Sequence, residues 1–145
     1  MYAELVRVFS TMQVLKQKML NYHWNVTGPD FYQTHLLLER LYGIVDGYTD
    51  RFAEHIRGYG RAPGLYSVYL SYSAVKEGDG SIPNAGTILA ELASDTVLLA
   101  QQIKSANDAA GKADRPDTLN LLGDFAEQVA TISYLLNSTK PGSNT

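Results

Sequence analysis

From Leu5 the apolar residues Leu5, Val8, Phe9, Met12, Leu15 and Met19 return every three or four positions, the spacing that lines one face of a helix. The pattern predicts a first helix over about residues 3–26. Thr27-Gly28-Pro29-Asp30 ends it and offers Asp30 as a capping residue for the next element. Leu36, Leu37, Leu41, Ile44, Val45, Phe52 and Ile56 then predict one long second helix over 31–58, stopping near Gly58-Tyr59-Gly60. Residues 61–86 hold Pro63, Gly64, Gly78, Gly80, Pro83 and Gly86 and read as a long connection, with Leu65 to Val75 able to form a short helix inside it. Ile88, Leu89, Leu92, Val97, Leu98 and Ile103 mark a third helix over 87–110, with Gly111 as its stop. Pro116 suits the first turn of a fourth, over 116–137, carried by Leu119, Leu122, Phe125, Val129, Ile132 and Leu136. Residues 138–145 form a polar tail expected to be flexible. A connection as long as 61–86 lets helices two and three run parallel, which a tight hairpin does not. The expectation is an all-α four-helix bundle in a single domain over 1–145, with a short extra helix in the crossover.

Composition narrows the function. With 45% hydrophobic and 19% charged residues the chain is ordinary for a soluble protein, and no apolar run approaches the roughly 20 residues of a membrane span. The start, Met1-Tyr2-Ala3-Glu4-Leu5, lacks the basic, apolar and small-residue parts of a secretory signal, so a cytoplasmic location is expected. The absence of cysteine excludes disulfides, thiolate catalysis and iron–sulfur clusters, leaving imidazole and carboxylate as metal ligands. A net charge of −3, with one lysine in the tail, works against nucleic-acid binding. No glycine-rich phosphate loop, His-Glu-x-x-His or serine nucleophile with a suitable base is present.

The candidate chemistry lies in His23, near the end of the first helix, and in His35, Glu39, Asp46, Asp50 and Glu54 along the second. Taken singly, carboxylates on a helix are a solvated face and a lone histidine is more often structural than a ligand. At about 100° per residue, however, the five on helix two share an arc of about 100°. His35 and Glu54 lie about 28 Å apart along a continuous helix at 1.5 Å per residue, so one ion cannot join them within one chain. If two copies cross antiparallel about a two-fold axis between Ile44 and Val45, His35 faces Glu54 and Glu39 faces Asp50. Gly43 and Gly47 flank that centre and would allow close approach, although a helical glycine can equally be there for packing. Such a site, with His23 added, would carry mixed imidazole and carboxylate ligands suited to iron, manganese or zinc, and oxidation of Fe(II) is its natural chemistry.

Tyr22-His23-Trp24-Asn25-Val26-Thr27-Gly28-Pro29-Asp30-Phe31, then His35, then Asp50-Arg51-Phe52-Ala53-Glu54-His55-Ile56-Arg57, is similar to the signature of the Dps family of mini-ferritins. The spacing H-x11-H-x3-[DE]-x10-D-x3-E is specific, and the similarity of helix arrangement extends over nearly the whole chain. The resemblance implies a ferritin-like four-helix bundle and a hollow dodecamer built from two-fold dimers. It also implies ferroxidase sites at those interfaces, oxidation of Fe(II) preferably by hydrogen peroxide rather than oxygen, and storage of ferric mineral that protects against oxidative damage. It assigns metal binding and catalysis to His23, His35, Glu39, Asp50 and Glu54. Glu39 departs from the family, where aspartate is usual. Asp46 is a further possible ligand. The family's acidic iron-entry pore falls on Arg115, Asn120 and Asp124, of which only Asp124 is acidic, with Asp114 and Asp117 able to compensate. Trp24 corresponds to the family's site tryptophan and could trap radicals, or could simply pack. Tyr66, Tyr69 and Tyr72 are expected to pack the crossover, and His55 is left out of the site. The lysine-rich tail that commonly binds DNA in the family is missing, so DNA binding is not expected. The competing reading is a non-enzymatic helical oligomer that binds a divalent metal.

Overall fold

A computed structural model describes residues 1–139 and places six helices there: α1 Tyr2–Asn25, α2 Phe31–Asp46, α3 Thr49–Arg57, α4 Tyr66–Tyr72, α5 Ala85–Lys112 and α6 Pro116–Ser138. Residues 140–145 of the predicted tail lie outside the described residues. Side-chain pairs give the directions. Lys16 meets Asp46 and His23 meets His35, so α2 runs antiparallel to α1; Lys18 meets Asp95 and Tyr22 meets Glu91, so α5 also runs antiparallel to α1. Arg51 reaches Asp124 while Tyr59 reaches Asp117, which sets α3 antiparallel to α6. The helices on either side of the long crossover are therefore parallel, as its length requires. The core between them is aliphatic and aromatic, with Leu5, Met12, Leu38, Leu41, Phe52, Ile88, Leu92 and Phe125 fully buried. No helix among the described residues is long and apolar enough to cross a membrane.

The structure departs from the predicted elements in four places. The second helix is not continuous. The Gly47 amide still bonds to the Gly43 carbonyl at 3.0 Å, but Tyr48 closes back on Val45 at 3.1 Å, a tighter turn, before α3 begins. Glycine at 43 and 47 removes side chains that would stiffen this stretch, so the break falls where helix propensity is lowest. Asp30 is the residue before α2, but its side chain makes no capping bond. The capped helix is α5, where the Asn84 side chain accepts from the Thr87 amide at 2.9 Å. Replacing Asn84 with alanine should cost about 1 kcal/mol in chemical unfolding, since one amide of the first turn loses its acceptor.

Gly111 does not stop the third long helix. The chain runs on to Lys112, and Asp114 takes the left-handed conformation (φ 53°) while the Arg115 amide reaches the Ala110 carbonyl and the Asp114 amide reaches that of Gly111. This is the paired-bond helix ending usually built on glycine. Finally, Val97 and Leu98 are 53% and 38% exposed, and the inward positions of α5 between Leu92 and Leu99 are held by Asp95 and Thr96 instead. Leu36, on α2, is likewise exposed. The short helix α4 lies on α1, with the Tyr69 ring edge-on to Phe9 at 5.7 Å and the Ala74 amide donating to Thr11 Oγ1 at 2.9 Å. Tyr66 and Tyr72 on the same helix stay exposed.

Candidate metal centre

His23 sits in the last turn of α1 and His35 in the second turn of α2, on the two sides of the turn at Gly28, whose φ of 117° suits glycine alone. Their rings stack at 3.8 Å between centroids and 10° between planes. Each ring is tied to the other residue's backbone: His23 Nδ1–H donates to the His35 carbonyl at 2.7 Å and His35 Nδ1–H donates to the His23 carbonyl at 2.8 Å. A carbonyl can only accept, so both rings carry their proton on Nδ1 and leave the Nε2 lone pair free. That is the tautomer and orientation control that metal-binding histidines commonly obtain from a carbonyl or carboxylate partner. Phe31 stacks on the outer face of His35 at 5.0 Å and Tyr42 stands edge-on to His23 at 5.3 Å, so the pair is held in an aromatic wall. His23 is buried and His35 partly so.

The stack also limits what the two imidazoles can hold. An ion bound at about 2.0–2.1 Å by a ring nitrogen lies close to that ring's plane. Two nearly parallel, stacked planes offer no such point in common, so in this arrangement the two Nε2 atoms do not converge on a single ion.

Glu39 on α2 and Asp50 and Glu54 on α3 are exposed and take no ion pair or side-chain hydrogen bond among the described residues. Within one chain no group of three His, Asp or Glu side chains among the described residues can hold a metal ion. The chain thus carries His35 and Glu39 on α2 and Asp50 and Glu54 on α3, with His23 of α1 stacked on His35. Asp46 is drawn away from these by Lys16 on α1, at 3.2 Å. His55 turns to α6, where its Nε2 meets Thr118 Oγ1 at 2.8 Å.

Two of the three acids placed at the entry pore are paired. Asp117 is gripped by Arg115 through two bonds of 3.1 and 2.9 Å and accepts from the Tyr59 hydroxyl at 3.1 Å. Arg115, first, and Tyr59 hold its carboxyl well below the usual carboxylate range. Because the folded form is the more acidic, this contribution is complete at neutral pH and is lost only in strong acid. Asp124 is paired with Arg51 at 3.3 Å. Asp114 takes no ion pair among the described residues and serves the ending of α5. Trp24 is 60% exposed and makes no ring contact among the described residues; Tyr42 is the oxidisable aromatic against His23.

A second polar group went unnoticed in the sequence. Lys18, 4% exposed, places its Nζ 2.7 Å from Asp95 Oδ2 and 3.2 Å from Glu91 Oε1, and the Tyr22 hydroxyl donates to Glu91 Oε2 at 2.6 Å. Burial pushes the Asp95 carboxyl up while Lys18 pulls it back. The available signal was Lys18 at an inward position between Leu15 and Met19, matched by Asp95 between Leu92 and Leu99.

The model of the ferritin-like domain family matches residues 2–138. The DNA protection during starvation protein of Brevibacillus brevis is 33% identical over 119 residues, covering 81% of this chain and 79% of that protein. The crystal structure of Dps from Staphylococcus aureus superposes with a TM-score of 0.88 at 28% identity, over 94% of this chain and 92% of that one. The Dps protein of Vibrio cholerae O1, described as a member of a broad superfamily of ferritin-like diiron-carboxylate proteins, gives 0.88 at 25% identity over 94% of this chain and 86% of that one. By family model, by relatives and by fold, the chain belongs to the ferritin-like family and, within it, to the Dps mini-ferritins.

Proposed function

We propose that the protein is a ferroxidase and iron store whose catalytic sites are completed between two copies, His23, His35 and Glu39 coming from one and Asp50 and Glu54 from the other. The observation that carries this is the reciprocal lock of His23 and His35. It fixes both tautomers on Nδ1, in a chain where no three His, Asp or Glu side chains among the described residues gather around one ion. Ferrous ions at the two Nε2 atoms then need carboxylates as well, and Glu39 with the exposed Glu54 and Asp50 of a second copy supply them. The relatives support iron as the metal, since the similar Vibrio protein is grouped with diiron-carboxylate proteins.

Separate ions for the two imidazoles suit the reaction. Each of two ferrous ions gives up one electron, the O–O bond of hydrogen peroxide breaks, and two protons complete two waters. The ferric product is stored as mineral in a hollow assembly, a dodecamer built from two-fold dimers, and removing Fe(II) and peroxide together protects against oxidative damage. Assembly is supported by the apolar surface that one chain leaves uncovered, including Trp24, Tyr32, Leu65, Tyr66 and Leu70. Glu39 keeps the charge of the family's aspartate with one more methylene, which alters the spacing at the ion it serves. Zinc or manganese fits the same donors. A net charge of −3 supports no DNA binding at physiological salt.

The test is iron oxidation by purified protein loaded anaerobically with Fe(II), then given peroxide or oxygen, against a His35→Ala, Glu54→Ala double variant. Fast oxidation with soluble ferric mineral in the wild type alone is expected, faster with peroxide. Equal rates in both proteins and in protein-free buffer would leave only a metal-binding helical oligomer.

A further inference from the structure

We infer that Phe31 is a positioning residue of the metal centre: its ring, lying on the outer face of the His35 imidazole, holds that imidazole in the orientation that presents Nε2 to an ion. The inference rests on the reading of His35 as a metal ligand and adds to it a residue that has no donor atom of its own.

His23 and His35 are not held alike. His23 is buried, with the His35 ring on one face and Tyr42 edge-on to it. His35 is only partly buried. Its one side-chain hydrogen bond, from Nδ1–H to the His23 carbonyl at 2.8 Å, fixes one atom of the ring and leaves the ring plane free to swing about that bond. Contacts on the two faces remove this freedom. The His23 ring covers the inner face at 3.8 Å with 10° between planes, and Phe31 covers the outer one at 5.0 Å and 25°.

The local sequence supplies the second cover. Phe31 and His35 are four residues apart in α2, so their side chains lie one turn apart on the same face. Phe31 opens the helix, and its amide donates to the Gly28 carbonyl at 3.1 Å. The turn whose φ of 117° needs glycine therefore also anchors the backbone that carries the phenyl ring. That ring is 40% exposed and stacks on no ring but His35 among the described residues, so core packing does not account for it.

A flat aromatic face does what a branched aliphatic chain of similar bulk does not. It covers the imidazole plane evenly, and its π cloud is negative. An aromatic face attracts positive charge within about 6 Å of its centroid, so an imidazole polarised by a bound ion gains more from Phe31 than a free one does. Partners that orient a ligating histidine contribute about 10- to 100-fold in metal affinity. A stacking partner gives no hydrogen bond and belongs at the lower end of that range.

The experiment is Co(II) binding to the assembled protein without oxidant, followed by calorimetry and by the visible bands that report the ion's ligands. Phe31→Leu, which keeps apolar bulk and removes the flat face, should weaken binding about ten-fold and alter those bands, with the urea midpoint unchanged. Phe31→Tyr, which restores the face, should bind as the wild type does. If Phe31→Leu fails to assemble, Phe31→Met takes its place with the same expectation. A His35→Ala variant separates the two ways of failing. Wild-type binding by Phe31→Leu where His35→Ala binds weakly overturns the role of Phe31 alone, as does failure of Phe31→Tyr to restore affinity. Wild-type binding by His35→Ala removes His35 from the metal centre, and the role of Phe31 falls with it.

Discussion

Co-assembling chains that carry His35→Ala with chains that carry Glu54→Ala is expected to restore about a quarter of wild-type iron oxidation, from two parents that each run at the protein-free rate. The fraction follows from two-fold symmetry. In a mixed dimer, one site combines both substitutions and the other combines an intact His35 with an intact Glu54. Half of randomly paired dimers are mixed, and each has one working site of two. Neither substitution should unfold the chain, because Glu54 is exposed with no partner among the described residues and His35 is only partly buried. The parents should therefore assemble with wild-type helicity and size. Recovery near a quarter fits ligands shared between copies. Continued inactivity of a mixture shown to contain mixed dimers would mean that His35 and Glu54 act within one subunit or at unrelated places.

Phe125→Ala should destabilise the fold by about 3–5 kcal/mol, read as a lower urea midpoint with little change in slope at fixed protein concentration. Phe125 is fully buried, with the Phe52 ring edge-on to it at 5.2 Å and the Tyr48 ring at 4.9 Å. Its removal leaves a cavity where α6 supports α3. The polar ties there include an exposed ion pair, Arg51 to Asp124, and hydrogen bonds from His55 to the buried Thr118 and from Tyr59 to Asp117. Exposed ion pairs of this sort contribute little. Because α3 carries Asp50 and Glu54 and is separated from α2 by the turn at Gly47 and Tyr48, loosening it should also weaken metal binding under conditions where the variant remains folded. Unchanged metal affinity in the folded variant would show that α3 is positioned from the neighbouring copy instead.

The sequence by itself determined the helices, their order and the candidate ligand set. Apolar residues at three- and four-residue spacing mark one buried face whatever the partner, and the length of the crossover, read against its glycines and prolines, called for parallel helices on either side. The His35 to Glu54 spacing was legible for the same reason, since residue intervals along a helix translate directly into position on its surface. What spacing does not carry is the local bonding that decides where a helix bends or which way a ring turns. The break at Gly47 and Tyr48, which divides the candidate ligands of the second helix between α2 and α3, depends on a few backbone bonds that a periodic pattern averages over. The reciprocal bonds of His23 and His35 arise only when two antiparallel helices bring those rings face to face. The pairing of Asp117 with Arg115 and of Asp124 with Arg51, and the burial of Lys18 against Asp95, likewise join residues through tertiary contact. Charge listed along a chain does not say which opposite charge will stand beside it, and in this protein that neighbour decides whether a carboxylate is free to meet a metal.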